Sequence, residues 1–197
     1  MNLSEKRQEI IEAAIALMQS KGYKNTKLND ILEASQVGKG QFYYYFSSKH
    51  ELGLAVIDCF SDAWSRQLLD NILRSKKDPE TKFGEMIEWI IENQRCNRAK
   101  CGCFFGNLAI ELSEHDEMFR QRIQSVFDNW IDALKPVLAG MINKTSQSDS
   151  LEMEKLALGV VALIEGGILL MKSKQDIDVF INIAHLARKL INSALDT

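Results

Sequence analysis

The sequence predicts an all-α protein, with an N-terminal three-helix helix-turn-helix domain followed by a larger helical domain. Apolar residues recur at intervals of three and four along most of the chain, which is the period of an amphipathic helix. Only two prolines interrupt the 197 residues, and the alternation typical of strands is nearly absent. Hydrophobic residues make up 46% of the chain, so it can bury a sizeable core.

Three helices account for the first part of the chain. The first ends at Gly22, because glycine readily adopts the left-handed conformation that follows many helices. The second is short, with Thr26 as its expected cap, and the third runs from about Lys39 to Phe46. The second and third have the spacing of a helix-turn-helix. We therefore expect one domain over residues 1–50 and another over residues 51–197.

The second domain begins with two longer helices. Ser48 and Glu51 have the spacing of a capping box, which predicts a helix that continues to about Arg74. Asp78 and Pro79 suit the cap and first position of the next helix. Residues 93–102 are polar and basic, which is typical of a loop.

Four more helices complete the predicted domain. A short helix over about residues 104–112 precedes a long one, capped by Ser113, that Pro136 should kink or divide. The polar residues 143–150 predict a loop. The last two helices cover residues 151–171 and 177–194.

Charge is divided unevenly along the chain. The net charge is −3, yet the first 50 residues contain seven Lys or Arg and five Asp or Glu. A positive N-terminal part and an acidic remainder are expected where only the N-terminal part contacts nucleic acid.

The third helix has a face that it cannot bury. Phe42 and Phe46 are four residues apart, so they point the same way and are expected to pack on the first two helices. The alternative, in which three consecutive tyrosines all belong to the core, conflicts with the helical period, although Tyr45 can be half-buried. The outward side then presents Gly40, Gln41, Tyr43 and Tyr44.

This outward side has the chemistry of a DNA contact. Gln41 can pair with a base edge, most favourably adenine, and tyrosines can donate to phosphate. Gly40 lets a duplex approach closely. Lys39 and Lys49 add positive charge at the two ends, and the N–H groups at the helix start favour anions.

The segment NTKLNDILEASQVGKGQFYYYFSSKHEL resembles the DNA-binding segment of the tetracycline-repressor-like (TetR) family of bacterial regulators. The resemblance covers about residues 8–56 and includes the family's Asp-Ile pair, glycine-containing turn, aromatic run and Ser-Lys-x-x-Leu motif. It implies a homodimer that binds a palindromic double-stranded DNA operator, and a C-terminal domain that binds a small-molecule inducer. Beyond that segment, the likeness is one of helix number and length.

The resemblance also implies roles for individual residues. The positions that contact bases or DNA backbone correspond to Lys39, Gly40, Gln41, Tyr43 and Tyr44. Tyr45 stands where a phosphate-contacting histidine is common, and Gly38 replaces the usual serine of the turn. The positions that anchor the DNA backbone correspond to Thr26, Lys27 and Lys49.

The run LALGVVALIEGGILLM is apolar on nearly all sides, so its helix needs burial on several faces. The resemblance implies that the last two helices pair with those of a second subunit. There Gly159, Gly166 and Gly167 would permit close crossing. Glu165 lies either at the wet edge of that interface or turned inward toward a cationic ligand. Aromatic residues of this domain either fill the core or line an apolar inducer cavity.

The stretch KCGCFFGNLAIELS places two cysteines between a basic loop and a helix start, and both features favour a thiolate. Within the TetR family, Cys103 matches the sensing position of electrophile- and oxidant-responsive repressors. Cys103, with Cys101 beside it, is therefore a possible redox sensor, and structural packing is the alternative. We expect no metal, since the spacing of Cys96, Cys101, Cys103 and His115 matches no structural zinc pattern.

The sequence gives no indication of export or membrane insertion. Residues 1–20 carry five charged side chains and no long apolar stretch, unlike a secretion signal. The longest apolar run, residues 156–171, is interrupted by Glu165 and is shorter than the roughly 18–20 residues of a membrane span. We expect a cytoplasmic protein with reduced thiols and no cofactor.

A ligand-responsive repressor is the favoured prediction. The helix from Ser48 would pivot on ligand binding, so that the two recognition helices no longer match major grooves ~34 Å apart. An architectural DNA-binding protein without a ligand is one alternative. A helical enzyme is another, but we find no catalytic triad, phosphate loop or metal-spaced carboxylates, and we expect no enzyme. Four acids cluster beside a predicted helix cap, where acids are common: Glu111, Glu114, Asp116 and Glu117.

Overall fold

The computed structural model describes residues 3–142 and 150–193, which form nine α-helices and one π-helical segment without any β-strand. The all-α prediction is confirmed. Residues 143–149 of the loop predicted over 143–150 and the predicted helix end at 194 lie outside the described residues, and Ser150 begins α8. The helices are α1 (Leu3–Lys21), α2 (Leu28–Ser35), α3 (Lys39–Tyr45), α4 (Lys49–Trp64), α5 (Pro79–Cys96), α6 (Phe104–Leu112), α7 (Glu117–Ile142), α8 (Ser150–Lys174) and α9 (Ile177–Ser193).

Several predicted helix boundaries differ from the structure. α5 continues to Cys96, into the loop predicted over 93–102, and α8 continues to Lys174, beyond the predicted end at 171. α4 ends at Trp64, and the π-helical segment Ser65–Leu73 follows it directly, where one helix to Arg74 is predicted. α7 begins at Glu117 because the carboxylate of Asp116, and not Ser113, accepts the N–H groups of Met118 and Phe119 at 3.1 and 3.2 Å. A carboxylate at this position also interacts favourably with the helix dipole.

The sequence also predicts a cap at Asp78 and a kink or break at Pro136. Asp78 caps α5 as predicted, since its Oδ1 accepts the Thr81 N–H at 3.0 Å. Pro136 lies inside α7, and the helix is not divided there.

The described chain separates into two compact units. Unit 1 contains the residues up to Ala63 together with Phe104–Gln124, and unit 2 contains Trp64–Cys103 and the residues from Ser125 onward. α6 and the first part of α7 therefore belong with the N-terminal helices. The division into a domain over residues 1–50 and another over residues 51–197 stays a prediction.

Unit 1 is held together by aromatic side chains. Phe60 of α4 packs on Phe104 and Phe105 of α6, with ring centroids 4.6 and 5.5 Å apart. Tyr23 and Phe119 meet edge to face at 5.0 Å. A Cβ on Gly53 would lie 2.6 Å from the Tyr23 ring and 2.7 Å from the Phe119 ring, so α4 approaches both rings closely only because residue 53 is glycine.

Unit 2 has a larger aliphatic core, to which α5, α7, α8, α9 and the π-helical segment all contribute. α8 and α9 approach closely at Gly167, where a Cβ would meet Phe180 and Ile183 at 3.0 Å. Residues Leu151–Lys174 are long and apolar enough to cross a membrane by length and composition. This is weak support for a span, since core helices of soluble proteins meet the same criterion.

Candidate nucleic-acid interface

A three-residue turn joins α2 to α3. Gln36 adopts the left-handed conformation, with φ at 53°, and its N–H donates to the Glu33 carbonyl. The Val37 N–H donates to the Leu32 carbonyl at 3.0 Å, which closes the end of α2. Gly38 is the extended N-cap residue of α3. The turn therefore fixes the direction in which α3 leaves α2.

The outer face of α3 is exposed, and its inner face is buried. Phe42 and Phe46 are 0% and 1% exposed, whereas Tyr43 and Tyr44 are 53% and 68% exposed. Tyr45 is half-buried, and its ring meets that of Tyr44 edge to face. The remaining exposed residues of this face are Lys39, Gly40 and Gln41.

The outer face of α3 is open at Gly40, and two lysines of the helix-turn-helix are exposed. A Cβ on Gly40 would meet no atom of the chain within 4 Å, so packing within the protein does not require glycine there. Lys27 and Lys39 are exposed, and neither forms a salt bridge with the residues that the structure describes. Both side chains are therefore exposed to solvent, and the charge of Lys27 interacts with that of Asp30.

Thr26 differs from these candidates. Its side chain is fully buried, and its hydroxyl donates to the Gly22 carbonyl at 2.7 Å. It also does not cap α2, because Lys27 occupies the cap position and donates its N–H to Asp30 at 2.8 Å. The Thr26 side chain supports the helix-turn-helix from within.

Lys49 is also held inward. Its ammonium group donates to the Tyr23 carbonyl at 2.6 Å and lies 4.2 Å from the centre of the Tyr23 ring. Burial lowers the pKa of Lys49, while the charges of Glu111 and Asp30 act in the opposite direction. The side chain thus joins the start of α4 to the residues that follow α1.

The predicted capping box at the start of α4 is present in modified form. Ser48 Oγ accepts the Glu51 N–H at 3.1 Å. The Glu51 carboxylate accepts the N–H and hydroxyl of Ser47, at 2.7 and 2.6 Å, where the predicted box would use the N–H of Ser48. These bonds from Ser47 lower the pKa of Glu51.

Two acids of the α6–α7 region bind residues on either side of the helix-turn-helix within unit 1. Glu111 accepts the N–H groups of Tyr23 and Lys24, at 3.0 and 2.5 Å. Asp116 pairs with His50 Nε2 at 2.8 Å. Burial and the charges of Asp116 and Glu111 raise the pKa of Tyr23. We call Glu111 and Asp116 the carboxylate support.

The sequence did not predict the carboxylate support. From the sequence, these acids are attributed to their position beside a predicted helix cap. Asp116 does provide that cap, with its other oxygen. The partners lie 66 to 88 residues away along the chain, and no local pattern reveals such a pairing.

The second candidate site lies in unit 2. The Cys103 thiol is half-buried against the core and is hydrogen-bonded to the Glu165 carboxyl group. Glu165 Oε1 is fully buried and has no hydrogen-bond partner among the described residues, so this side chain turns inward. Burial raises the pKa of Glu165 from 4.5 to about 6, with the Cys103 bond opposing the shift.

The other cysteines add no metal site. Cys59, Cys96, Cys101 and Cys103 are all free thiols. Within residues 3–142 and 150–193, no three potential metal-binding side chains come together.

Two family models match the chain. One describes bacterial regulatory proteins of the tetR family and matches residues 10–56. The other describes the C-terminal domain of LmrA/YxaF-like transcriptional regulators and matches residues 79–186.

Individual proteins agree with these matches. The chain is 38% identical over 180 residues to an HTH-type transcriptional regulator in the lacX 3′ region of Lactococcus lactis subsp. lactis, covering 90% of this chain and 89% of that protein. It is 26% identical over 181 residues to the HTH-type transcriptional repressor DhaR of Mycobacterium sp. (strain GP1), with the same coverage of both chains. The fold resembles the regulatory protein TetR from Rhodobacter sphaeroides, with a TM-score of 0.80, 24% identity, and coverage of 91% of this chain and 95% of that one.

Proposed function

Because the chain belongs to the TetR family of DNA-binding transcriptional regulators, we propose that the outer face of α3 binds the major groove of its operator. The observation that carries this proposal is the exposure of Tyr43 and Tyr44 beside the buried Phe42 and Phe46. A short helix that exposes two aromatic rings has a surface suited to another molecule.

The proposed contacts follow from the chemistry of each side chain. Gln41 contacts a base edge, and Gly40 lets the start of α3 approach the duplex. Lys27 and Lys39 neutralise phosphates, and the tyrosine hydroxyls donate to phosphate oxygens. The internal bonds of Thr26 and Lys49 favour a supporting role for these two residues, in which they hold α2 and α4 in position.

A mobility-shift assay tests these contacts on DNA that flanks the protein's own gene. Lys39→Ala should weaken binding and reduce the slope of log affinity against log salt by about 0.9 for each phosphate that is no longer neutralised. Tyr44→Ala should weaken binding without changing thermal stability. Lys76→Ala is the matched control, since Lys76 is an exposed lysine in unit 2. Unchanged affinity in both α3 variants would refute the assignment.

The chain is further proposed to act as a homodimer through α8 and α9. Leu158, Leu169 and Leu170 are more than half exposed on α8, which is unusual for a helix of such apolar composition. Gly159 and Gly166 also have open space where a Cβ would lie, so a second helix can approach there. Two subunits would then present two copies of α3 to a palindromic operator.

We also propose that the protein is a ligand-responsive cytoplasmic repressor without enzymatic activity, in which residues 1–50 bind DNA and the remainder binds inducer and partner. The carboxylate support favours this arrangement, because it ties α6 and the start of α7 to the residues that precede and follow the helix-turn-helix. α7 continues from unit 1 into unit 2, so a shift of α7 on ligand binding would act on His50. A coupling of about 1–3 kcal/mol suffices for a useful response.

A second candidate function is electrophile sensing by Cys103. The hydrogen bond between Cys103 and Glu165 favours it, because a neighbouring carboxylate can accept the thiol proton while sulfur attacks an electrophilic carbon. N-ethylmaleimide should then release the wild-type protein from DNA. Cys103→Ser should not respond, and Cys101→Ser, the neighbouring control, should respond fully. An unchanged response in Cys103→Ser would exclude this role.

A further inference from the structure

α5 and α9 line a cavity of about 380 Å³ in unit 2 that is open to solvent. Its lining is mixed. Ile87 and Ile91 from α5 and Ile181 and Ala184 from α9 form the apolar part, and polar groups supply nearly as much of the accessible surface. A volume of this size is within the range of sites for small organic ligands.

The rim of the cavity is polar, and it carries two arginines against one acid. Arg95, His185 and Arg188 lie there with a single acid, Glu88, and all four are exposed. Arg95 has only a loose carboxylate neighbour, Glu92, at 3.8 Å. Arg188 forms no salt bridge with any residue in the described part of the chain.

A glycine lets the Arg188 guanidinium approach α5. A Cβ on Gly84 would lie 2.9 Å from Arg188 Nη2, so the guanidinium rests directly against the backbone of α5. Gly84 itself lines the cavity. The cation is therefore placed at the cavity mouth, where its donors can meet a ligand that enters between the helices.

We propose that this cavity binds a small amphiphilic anion, with an apolar body between α5 and α9 beside Ile181 and a carboxylate at Arg188. Guanidinium groups bind carboxylates with two parallel hydrogen bonds, which a neutral or cationic head group cannot replace. The apolar body gains free energy in proportion to the area that it buries. The proposal names the chemical class of the inducer, and it depends on the proposed function only for the effect on DNA.

Octanoate, below its micelle concentration, is the probe for calorimetric titration of the full-length protein without DNA. Octanoate should bind, and octan-1-ol and octylammonium, which have the same chain, should bind at least about tenfold more weakly. Equal binding of octan-1-ol would overturn the proposal, as would no binding of octanoate.

Three variants locate the site. Arg188→Gln should weaken octanoate binding at least about tenfold, and Gly84→Ala should weaken it because the added Cβ displaces the guanidinium. Lys189→Gln removes an equal charge from the next residue of α9, which does not line the cavity, and should bind octanoate as the wild type does. Wild-type affinity in both Arg188→Gln and Gly84→Ala would refute the site.

A mobility-shift assay with and without octanoate separates this proposal from the proposed function. Release of DNA from the wild type but not from Arg188→Gln supports both. Octanoate binding that leaves the DNA complex intact refutes the inducer role and keeps the site. Absence of any DNA binding refutes the proposed function, while the calorimetric result still decides the cavity.

Discussion

At the scale of single residues, Glu165 has an unfavourable environment for a carboxyl group. Its carboxyl group is buried in an apolar helix, and one of its oxygens lacks a hydrogen-bond partner among the described residues. Such a group is retained at a cost to stability, because burial disfavours the charged form. That cost depends on pH in a way that can be measured.

We predict that the free energy of unfolding falls as the pH rises from 4.5 through 6, because of Glu165. The pKa of Glu165 is raised to about 6 in the folded protein, so the folded state binds more protons than the unfolded state in this window. The stability lost by pH 7.5 is about 2 kcal/mol, of which about 1 kcal/mol is lost between pH 5 and pH 7.5.

Urea unfolding of the wild type and of Glu165→Gln at pH 5 and pH 7.5 measures this difference. The Gln side chain has nearly the same shape and does not titrate, so the difference in stability between the two proteins should change by about 1 kcal/mol. Parallel pH profiles for the two proteins would contradict the prediction.

Sequence reasoning placed the residues of α3 well and those around it less well. The four-residue spacing of Phe42 and Phe46 determines which side of a helix is buried, so the outward face followed from helical geometry alone. The inward placement of Lys49 depends on the Tyr23 carbonyl and ring, 26 residues away. No periodicity contains that information. The resemblance therefore gave the position of Lys49 but not its contacts.

At the scale of helices, two glycines have opposite surroundings. One lets α4 pack closely on two aromatic rings, and the other leaves the surface of α3 open to another molecule. Gly53 leaves no space for a Cβ, because the rings of Tyr23 and Phe119 would lie within 2.7 Å of it. Gly40 leaves open space. The same substitution should therefore have different effects at the two positions.

We predict that Gly53→Ala destabilises the protein by about 1–3 kcal/mol, the usual cost of an overpacked core. Gly40→Ala should leave stability unchanged or raise it by up to about 1 kcal/mol, because alanine favours the helix. Gly40→Ala should nevertheless weaken DNA binding, since the new methyl group stands on the face proposed to meet the duplex. Thermal denaturation and mobility shift measure the two effects. A Gly53→Ala protein as stable as the wild type would contradict the packing argument.

Most helices could be predicted from periodicity and caps, and the exceptions have tertiary causes. α6 was predicted with its observed ends, and Asp78 capped α5 as expected. The π-helical segment after Trp64 was not predicted, because its apolar residues recur much as those of an α-helix do. The membership of α6 in unit 1 depends on the packing of Phe104 and Phe105 against Phe60, which local sequence does not show.

At the scale of the whole molecule, the apolar surface of α8 is the feature that the single chain leaves unexplained. Its exposed leucines at 158 and 169 and its open glycines at 159 and 166 lie at helical spacing along one side. A soluble monomer seldom leaves such a stripe exposed. In a symmetric dimer, α8 and α9 of each subunit would cover the apolar stripe of the other subunit, so both copies of the stripe are buried.

We predict that Leu158→Glu converts the protein to a monomer. Burying a leucine contributes about 1.5–3 kcal/mol. The substitution removes this contribution from both subunits of a symmetric interface, so the dimer dissociation constant should rise at least about 100-fold. Sedimentation velocity at micromolar concentration measures this change.

The control is Ile110→Glu, which introduces the same charge at an isoleucine of α6 that is 79% exposed and lies in unit 1. That variant should remain dimeric and bind DNA as the wild type does, whereas Leu158→Glu should lose affinity because each operator half-site must then be bound separately. A monomeric wild type, or a Leu158→Glu protein that stays dimeric, would show that α8 does not form the interface.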